Sequence, residues 1–326
     1  MLWGYMIMDF KEFYRGKRIL VTGADGFMGS HLTERLLGYN ANITAFVHNK
    51  ELKNLNHVKN KLNIISGDIE DKKTTELIIK NSPEIIFHLA VDGYIRNSIE
   101  NPLSVNRTNL DGTLNVLEAA RQLINQRLER LVFASSCVVY GARPYPINEK
   151  GEFKPSTPYA ASKAAAELYC YSYAKTYNLP ITIIRPFNVY GPRHTKDVIP
   201  LFIEKALKNE EIKLDGGGKA TRDFTYVDDM INSFLITGVH EKAIGEAVNF
   251  GTGKDISVRE LAEKIIKYCN SDSKLINMPE RPGQDLKLCC DNTKAKELFG
   301  WQPKISIDEG LKLNIEWNKR RLKNGF

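Results

Sequence analysis

Tyr159 and Lys163 stand four residues apart in TPYAASKAAAE, a stretch with helical composition. That spacing places both side chains on one helix face. A phenol near pKa 10 is a poor base at neutral pH. An ammonium one turn away stabilises the phenolate, so the pair can take and return a proton. Upstream, Ser135 and Ser136 end the apolar run LVFAS, where a hydroxyl can bond the oxygen whose proton moves. A third group opens the chain: Gly23, Gly26 and Gly29 in RILVTGADGFMGSHL, with Phe27 and Met28 between the last two. Glycines let the backbone turn tightly and approach a diphosphate, which then sits at the positive end of the following helix. The spacing is GxxGxxG, and its strand-before, helix-after setting predicts a dinucleotide site. Together the three groups predict hydride and proton exchange with NAD or NADP.

The second strand should end near the adenosine ribose, where an acid normally takes the 2′-hydroxyl of NAD. The residues there are Ala45-Phe46-Val47-His48-Asn49-Lys50, with no acid. A cation accommodates the 2′-phosphate of NADP, so His48 and its neighbours tilt the expectation towards NADP.

These residues need a scaffold, and the pattern supplies one. Arg18–Thr22, Ile43–Val47, Asn63–Ser66, Glu84–His88, Leu131–Ser135 and Ile181–Arg185 read as short, nearly all-apolar strands. Between them lie helical stretches such as Met28–Leu37, Leu103–Ile124 and Tyr159–Tyr177. That alternation predicts an α/β fold, a doubly wound parallel sheet covered on both faces. We expect a Rossmann-type NAD(P)-binding domain over 1–190, with 225–251 returning to it. A smaller, discontinuous substrate region is expected within 191–326, where GPRH, DGGGKATRD and PERPGQD break the rhythm.

Composition narrows the class. The 326 residues are 42% hydrophobic and 26% charged, the profile of a globular protein. No stretch approaches the ~20 apolar residues of a spanning helix. The opening MLWGYMIMDF has no positive leading segment and is interrupted by Asp9, so it fails as a signal peptide. Met6 and Met8 are alternative starts. The net charge of +7 is spread along the chain, with one cluster at Lys319–Lys323, which argues against nucleic acid. Five cysteines without CxxC or Cys/His spacing predict no structural metal and a reducing, cytoplasmic setting.

TGADGFMG, GDIED, HLA, NLDGTLNVLEAA, SSCVVYG, PYAASK, RPFNVYGPR, RDFTYVDD and RPGQD follow one another in order. In this series the chain resembles the extended short-chain dehydrogenase/reductase family, and within it the nucleotide-sugar epimerases and dehydratases of the UDP-galactose 4-epimerase kind. The likeness runs from Lys17 to Trp301. It implies a nucleoside-diphosphate sugar as substrate, with Ser136, Tyr159 and Lys163 catalytic. It places Asp68 and Ile69 beside the adenine, Leu89 and Ala90 along the cofactor phosphates and ribose, and Asn109 under the fourth strand. Asn188 corresponds to the residue that contacts the substrate diphosphate, and Arg222 and Arg281 to the clamp on its nucleotide end. The resemblance also implies a homodimer paired through the helices of 103–124 and 159–177.

Departures from the family narrow the reaction. Its 4,6-dehydratases carry an Asp-Glu pair after the catalytic Ser/Thr, whereas Cys137 and Val138 stand here. Valine moves no proton, and a thiol is a poor donor to a leaving hydroxyl. The leading expectation is therefore 4-epimerisation of an NDP-hexose through a 4-keto intermediate. A C4 dehydrogenase or 4-ketoreductase stands second. A 3,5-epimerase using Cys137 as base stands third, because Cys137 precedes Tyr140 by three residues where that group has two. Leu288, after the RPGQD motif, matches a residue flanking the sugar without deciding which sugar. A binding protein of this fold that has lost catalysis is the alternative of a different class.

Overall fold

The computed structural model describes residues 9–280 and 287–324. The alternative starts Met6 and Met8 lie outside them. Seven strands, all paired in parallel, form the central sheet: β1 (Arg18–Thr22), β2 (Asn42–Val47), β3 (Asn63–Ser66), β4 (Ile85–His88), β5 (Arg130–Ala134), β6 (Ile181–Pro186) and β7 (Ala247–Phe250). Their order is β7-β6-β5-β4-β1-β2-β3. The chain winds outward from β1 to β3, then crosses back to β4 and winds the other way. This reversal opens a crevice between the carboxyl ends of β1 and β4, the standard ligand position in such sheets.

Near-continuous apolar strands follow from burial on both faces. Val21, Phe87, Val132 and Ile184 join one core with Met230, Ile231, Phe234 and Leu235 of helix α4 (Val227–Val239). Their neighbours Leu20, Ile86, Phe133 and Ile183 join the other core, with Val116 and Leu117 of α2 (Gly112–Leu123) and Ala166 of α3 (Pro158–Tyr177). Helix α1 (Phe27–Gly38) begins directly beyond the glycine turn.

The predicted helix over 103–124 is interrupted. It runs as Pro102–Asn106, a π-helical turn Arg107–Asp111, and α2. Asn109 lies in the widened turn, a common setting for functional residues. Beyond 190 the chain is more regular than its turn-rich patches suggest. GPRH leads into the helix Val198–Leu207 and DGGGKATRD runs into the strand Thr221–Asp223, while most of PERPGQD lies outside the described residues; the helices Val258–Cys269 and Ile307–Asn324 complete the region. Three short strands, Thr221–Asp223, Asp255–Ser257 and Lys287–Leu288, form a small mixed sheet beside the crevice.

Candidate active site

The glycine turn closes where β1 becomes α1. Gly23 has φ +66°, and a Cβ there would meet the Ala90 backbone at 2.9 Å, while one on Gly29 would collide with the Gly23 carbonyl. The N-terminus of α1 at Gly26 carries no side-chain cap. A bare backbone cradle facing an uncapped helix end fits a dinucleotide diphosphate. The Asp25 carboxylate accepts from the backbone N–H groups of Lys53, Asn54 and Leu55, tying the turn to the segment after β2. Phe27 stacks on His194 at 4.6 Å between centroids, and Met28 is partly buried beside it.

Two residues expected to act separately come together just beyond the ends of β2 and β3. His48 Nδ1 lies 2.6 Å from Asp68 Oδ1, both side chains exposed. Asn49 and Lys50 are exposed. Ile69 is buried beneath Gly112 of α2.

The polar chain behind β1 and β4 went unrecognised in the sequence. The Thr22 hydroxyl oxygen accepts from the amides of Leu89 and Ala90, each at 3.1 Å, so its proton goes to His88 Nδ1, 2.7 Å away. His88 Nε2 then donates to Thr113 Oγ1 at 3.0 Å, and Thr113 donates to the Asn109 carbonyl. Burial, with a smaller push from Lys163, drives His88 down to about 3, so it is neutral, as this chain requires. The Asn109 amide donates to Ser162 Oγ at 2.9 Å and to the Asp92 carbonyl, and its oxygen accepts from the Asp92 amide. Asn109 thereby joins the loop after β4 to α3. A signal was present: Thr22 and His88 are the lone polar residues closing RILVT and IIFH.

Ser136 caps the short turn Cys137–Tyr140 after β5, accepting from the Val138 amide at 3.4 Å. Thr157 caps α3, and Pro158 begins it, so Tyr159 and Lys163 lie in the first two turns. Burial pushes the Tyr159 phenol up to about 12, with Cys137 and Asp92 adding to the rise and a Ser136 hydrogen bond opposing it. Burial also brings Lys163 down to about 8, opposed by Cys170 and Glu167. Lys163 Nζ sits 4.2 Å from the centre of the Phe133 ring. Cys137 is buried in an apolar cluster with Tyr140, Phe187, Leu288 and Cys290.

At the far side of the crevice, the Asn188 amide donates to the Asp223 carbonyl at 3.2 Å. Arg222 Nη1 donates to the Thr221 carbonyl at 2.8 Å, and Arg222 pairs in register with Leu288. Asp223, fully buried, accepts from the amides of Thr252, Gly253 and Cys290. Burial raises its pKa and these hydrogen bonds oppose the rise. It was missed because its partners are distant in sequence. Arg281 lies outside the described residues. Among the described residues no cluster of three or more His, Cys, Asp or Glu could hold a metal, and no helix is long and apolar enough to cross a membrane.

Residues 20–313 match the family described as GDP-mannose 4,6 dehydratase. A putative UDP-glucose 4-epimerase of Methanocaldococcus jannaschii is 36% identical over 92% of this chain and 98% of its own length. An epimerase structure from Methanothermobacter thermautotrophicus superposes with TM-score 0.92 at 32% identity, covering 98% of this chain and 97% of that one. The UDP-glucose 4-epimerase of Thermus thermophilus, solved with NAD, gives TM-score 0.85 at 30% identity over 93% of this chain and 99% of its own. The chain belongs to the extended short-chain dehydrogenase/reductase family of nucleotide-sugar epimerases and dehydratases, and is an enzyme of NAD(P)-dependent sugar chemistry.

Proposed function

We propose that the protein is a 4-epimerase acting on a nucleoside-diphosphate hexose. The observation that carries this reading is Ser136, Tyr159 and Lys163 gathered at one end of the sheet, with Cys137 and Val138 after Ser136 and Cys137 buried. The set can move a proton on and off a C4 hydroxyl, and supplies no acid for the loss of a C6 hydroxyl. The M. jannaschii and T. thermophilus relatives are named as UDP-glucose 4-epimerases, which supports a UDP-hexose.

Ser136 orients the C4 hydroxyl, and the Tyr159 phenolate removes its proton as C4 is oxidised. The Lys163 ammonium stabilises that phenolate electrostatically. The nicotinamide, when bound, supplies hydride acceptance and return. Tyr159 then gives its proton back to the inverted alkoxide. The glycine turn, Asp68, Ile69, Leu89 and Ala90 would hold the cofactor, with Asn109 fixing the loop after β4. Asn188 would contact the substrate diphosphate, and Arg222 and Arg281, within the smaller region of 191–326, would take its nucleotide end. Arginine's planar fork suits phosphate oxygens.

The missing acid near Val47 tilts the sequence towards NADP, but for the cofactor we read NAD ahead of NADP, supported by the T. thermophilus relative solved with NAD. Asp68 lies against His48, so the loop after Val47 offers a 2′-phosphate less positive charge than its sequence suggests. A C4 oxidoreductase is the second reading, since it uses the same three residues. The test is incubation with UDP-, GDP-, CDP- and dTDP-hexoses, with and without added NAD(P)⁺ or NAD(P)H. C4-inverted product with no net cofactor change is expected. Stoichiometric formation or consumption of NAD(P)H without inversion would replace the epimerase by the oxidoreductase.

A further inference from the structure

The turn that carries Ser136 is held at both ends by one buried ion pair. At its start, Ser135 Oγ donates to Glu167 Oε2 at 2.6 Å. At its end, the Tyr140 hydroxyl accepts from Arg185 Nη1 at 2.6 Å and donates to Asn249 Oδ1 at 2.7 Å. Arg185 Nε donates to both Glu167 oxygens, at 3.0 and 3.2 Å, and Nη2 adds a bond to Oε1. The guanidinium also packs 5.0 Å from the Tyr140 ring and 5.1 Å from Phe153. Glu167 lies on α3, one turn beyond Lys163 and two beyond Tyr159.

The helix bearing the proton-transfer pair therefore grips the serine turn directly. We propose that Glu167 and Arg185 are positioning residues for catalysis, locking the Ser136 turn to α3 and so setting the geometry between Ser136 and Tyr159. Stability alone gives little reason to keep these charges, because a buried pair can often be exchanged for apolar side chains of similar volume without loss. Registration of two catalytic elements gives a reason. Misplacement of a reacting group by about 1 Å can cost a hundredfold in rate.

The proposal rests on the reading that Ser136, Tyr159 and Lys163 carry the chemistry, and two measurements keep the questions apart. The first variant is Ser135→Ala/Tyr140→Phe, which removes both grips and leaves the ion pair intact. The second is Glu167→Met/Arg185→Met, which removes the pair and leaves no lone charge. For either variant, when folded, kcat should fall roughly ten- to a hundredfold. KM should stay within about threefold of wild type, since ground-state binding is untouched. The limb of the pH profile that reports Tyr159 deprotonation should move to higher pH. In parallel, ¹³Cζ-tyrosine NMR of the NAD-loaded protein, assigned with Tyr159→Phe, should show the Tyr159 resonance displaced in both variants. This second readout needs no sugar. Wild type inactive on every sugar would sink the epimerase reading while the resonance still decides the positioning role. A folded variant with an unmoved Tyr159 resonance overturns the proposal, whether or not its turnover falls.

Discussion

At the scale of single residues, proton-transfer chemistry is concentrated in a few buried groups. Tyr159→Phe removes the phenol hydrogen-bonded to Ser136, and Lys163→Ala the ammonium one turn away. Each should lower kcat at least about a hundredfold, the range general acid–base catalysis supplies. Tyr159→Phe should leave nucleotide-sugar affinity nearly unchanged, and steady-state kinetics with a calorimetric Kd will check both. His88 yields a prediction about stability instead. It is neutral in the folded protein down to about pH 3, whereas an unfolded histidine titrates near ~6.5. Between these values the unfolded chain binds the extra proton. The stability that comes from keeping His88 neutral is therefore full above ~6.5 and drains away towards pH 3, at up to about 1.4 kcal/mol per pH unit. Urea midpoints at pH 7 and pH 5 should diverge less for His88→Gln than for wild type. An equal loss in both proteins would mean that His88 does not titrate on unfolding.

At the scale of elements, Asp223 fastens the strand Thr221–Asp223 to the turn after β7 and to Cys290. Asp223→Ala leaves three backbone amides without their acceptor, at a cost of about 1–3 kcal/mol for each that stays buried. The strand it anchors carries Arg222, so KM for the nucleotide sugar should rise several-fold while cofactor affinity holds. Equilibrium binding of each ligand to the variant separates these effects. How much of this was legible in sequence depends on the range of each interaction. Six strands of the sheet, the glycine turn and the Tyr159–Lys163 pair are written in local periods and spacings, and were readable. Asp223 meets Thr252 and Cys290, Glu167 meets Arg185, and Thr22 meets His88 across long stretches of chain, which no local pattern records. Even so, a lone arginine closing ITIIR and a glutamate inside YAASKAAAE mark polar residues among apolar ones. The π-helical turn at Asn109 left no comparable trace, because NLDGTLNVLEAA has ordinary helical composition.

At the scale of the whole molecule, the helices flanking the site expose a notable amount of apolar surface. Ile99, Leu103, Leu168 and Tyr171 are 60%, 75%, 59% and 57% exposed. They lie on Ile95–Glu100, Pro102–Asn106 and α3, which pack against one another. Such a surface suits a second copy of the chain, the homodimer implied by the family resemblance. Light scattering should give about twice the 37.0 kDa chain mass for wild type, and a shift towards the single-chain mass for Leu103→Glu/Leu168→Glu. A single-chain mass for wild type at micromolar concentration would remove the dimer. The order in which the sheet is filled has its own consequence for biosynthesis. Strand β6 takes its outer neighbour from residues 247–250, and the face formed by β4, β5 and β6 is roofed by α4, residues 227–239. A nascent chain emerging from the ribosome thus holds six strands for some time before it can finish the layer, with an apolar edge and an apolar face uncovered. The first 190 residues should therefore not fold as a unit without residues 227–250. Released alone as a fragment of residues 9–190, they should collect in the insoluble fraction, whereas extension to residue 251 should restore soluble protein.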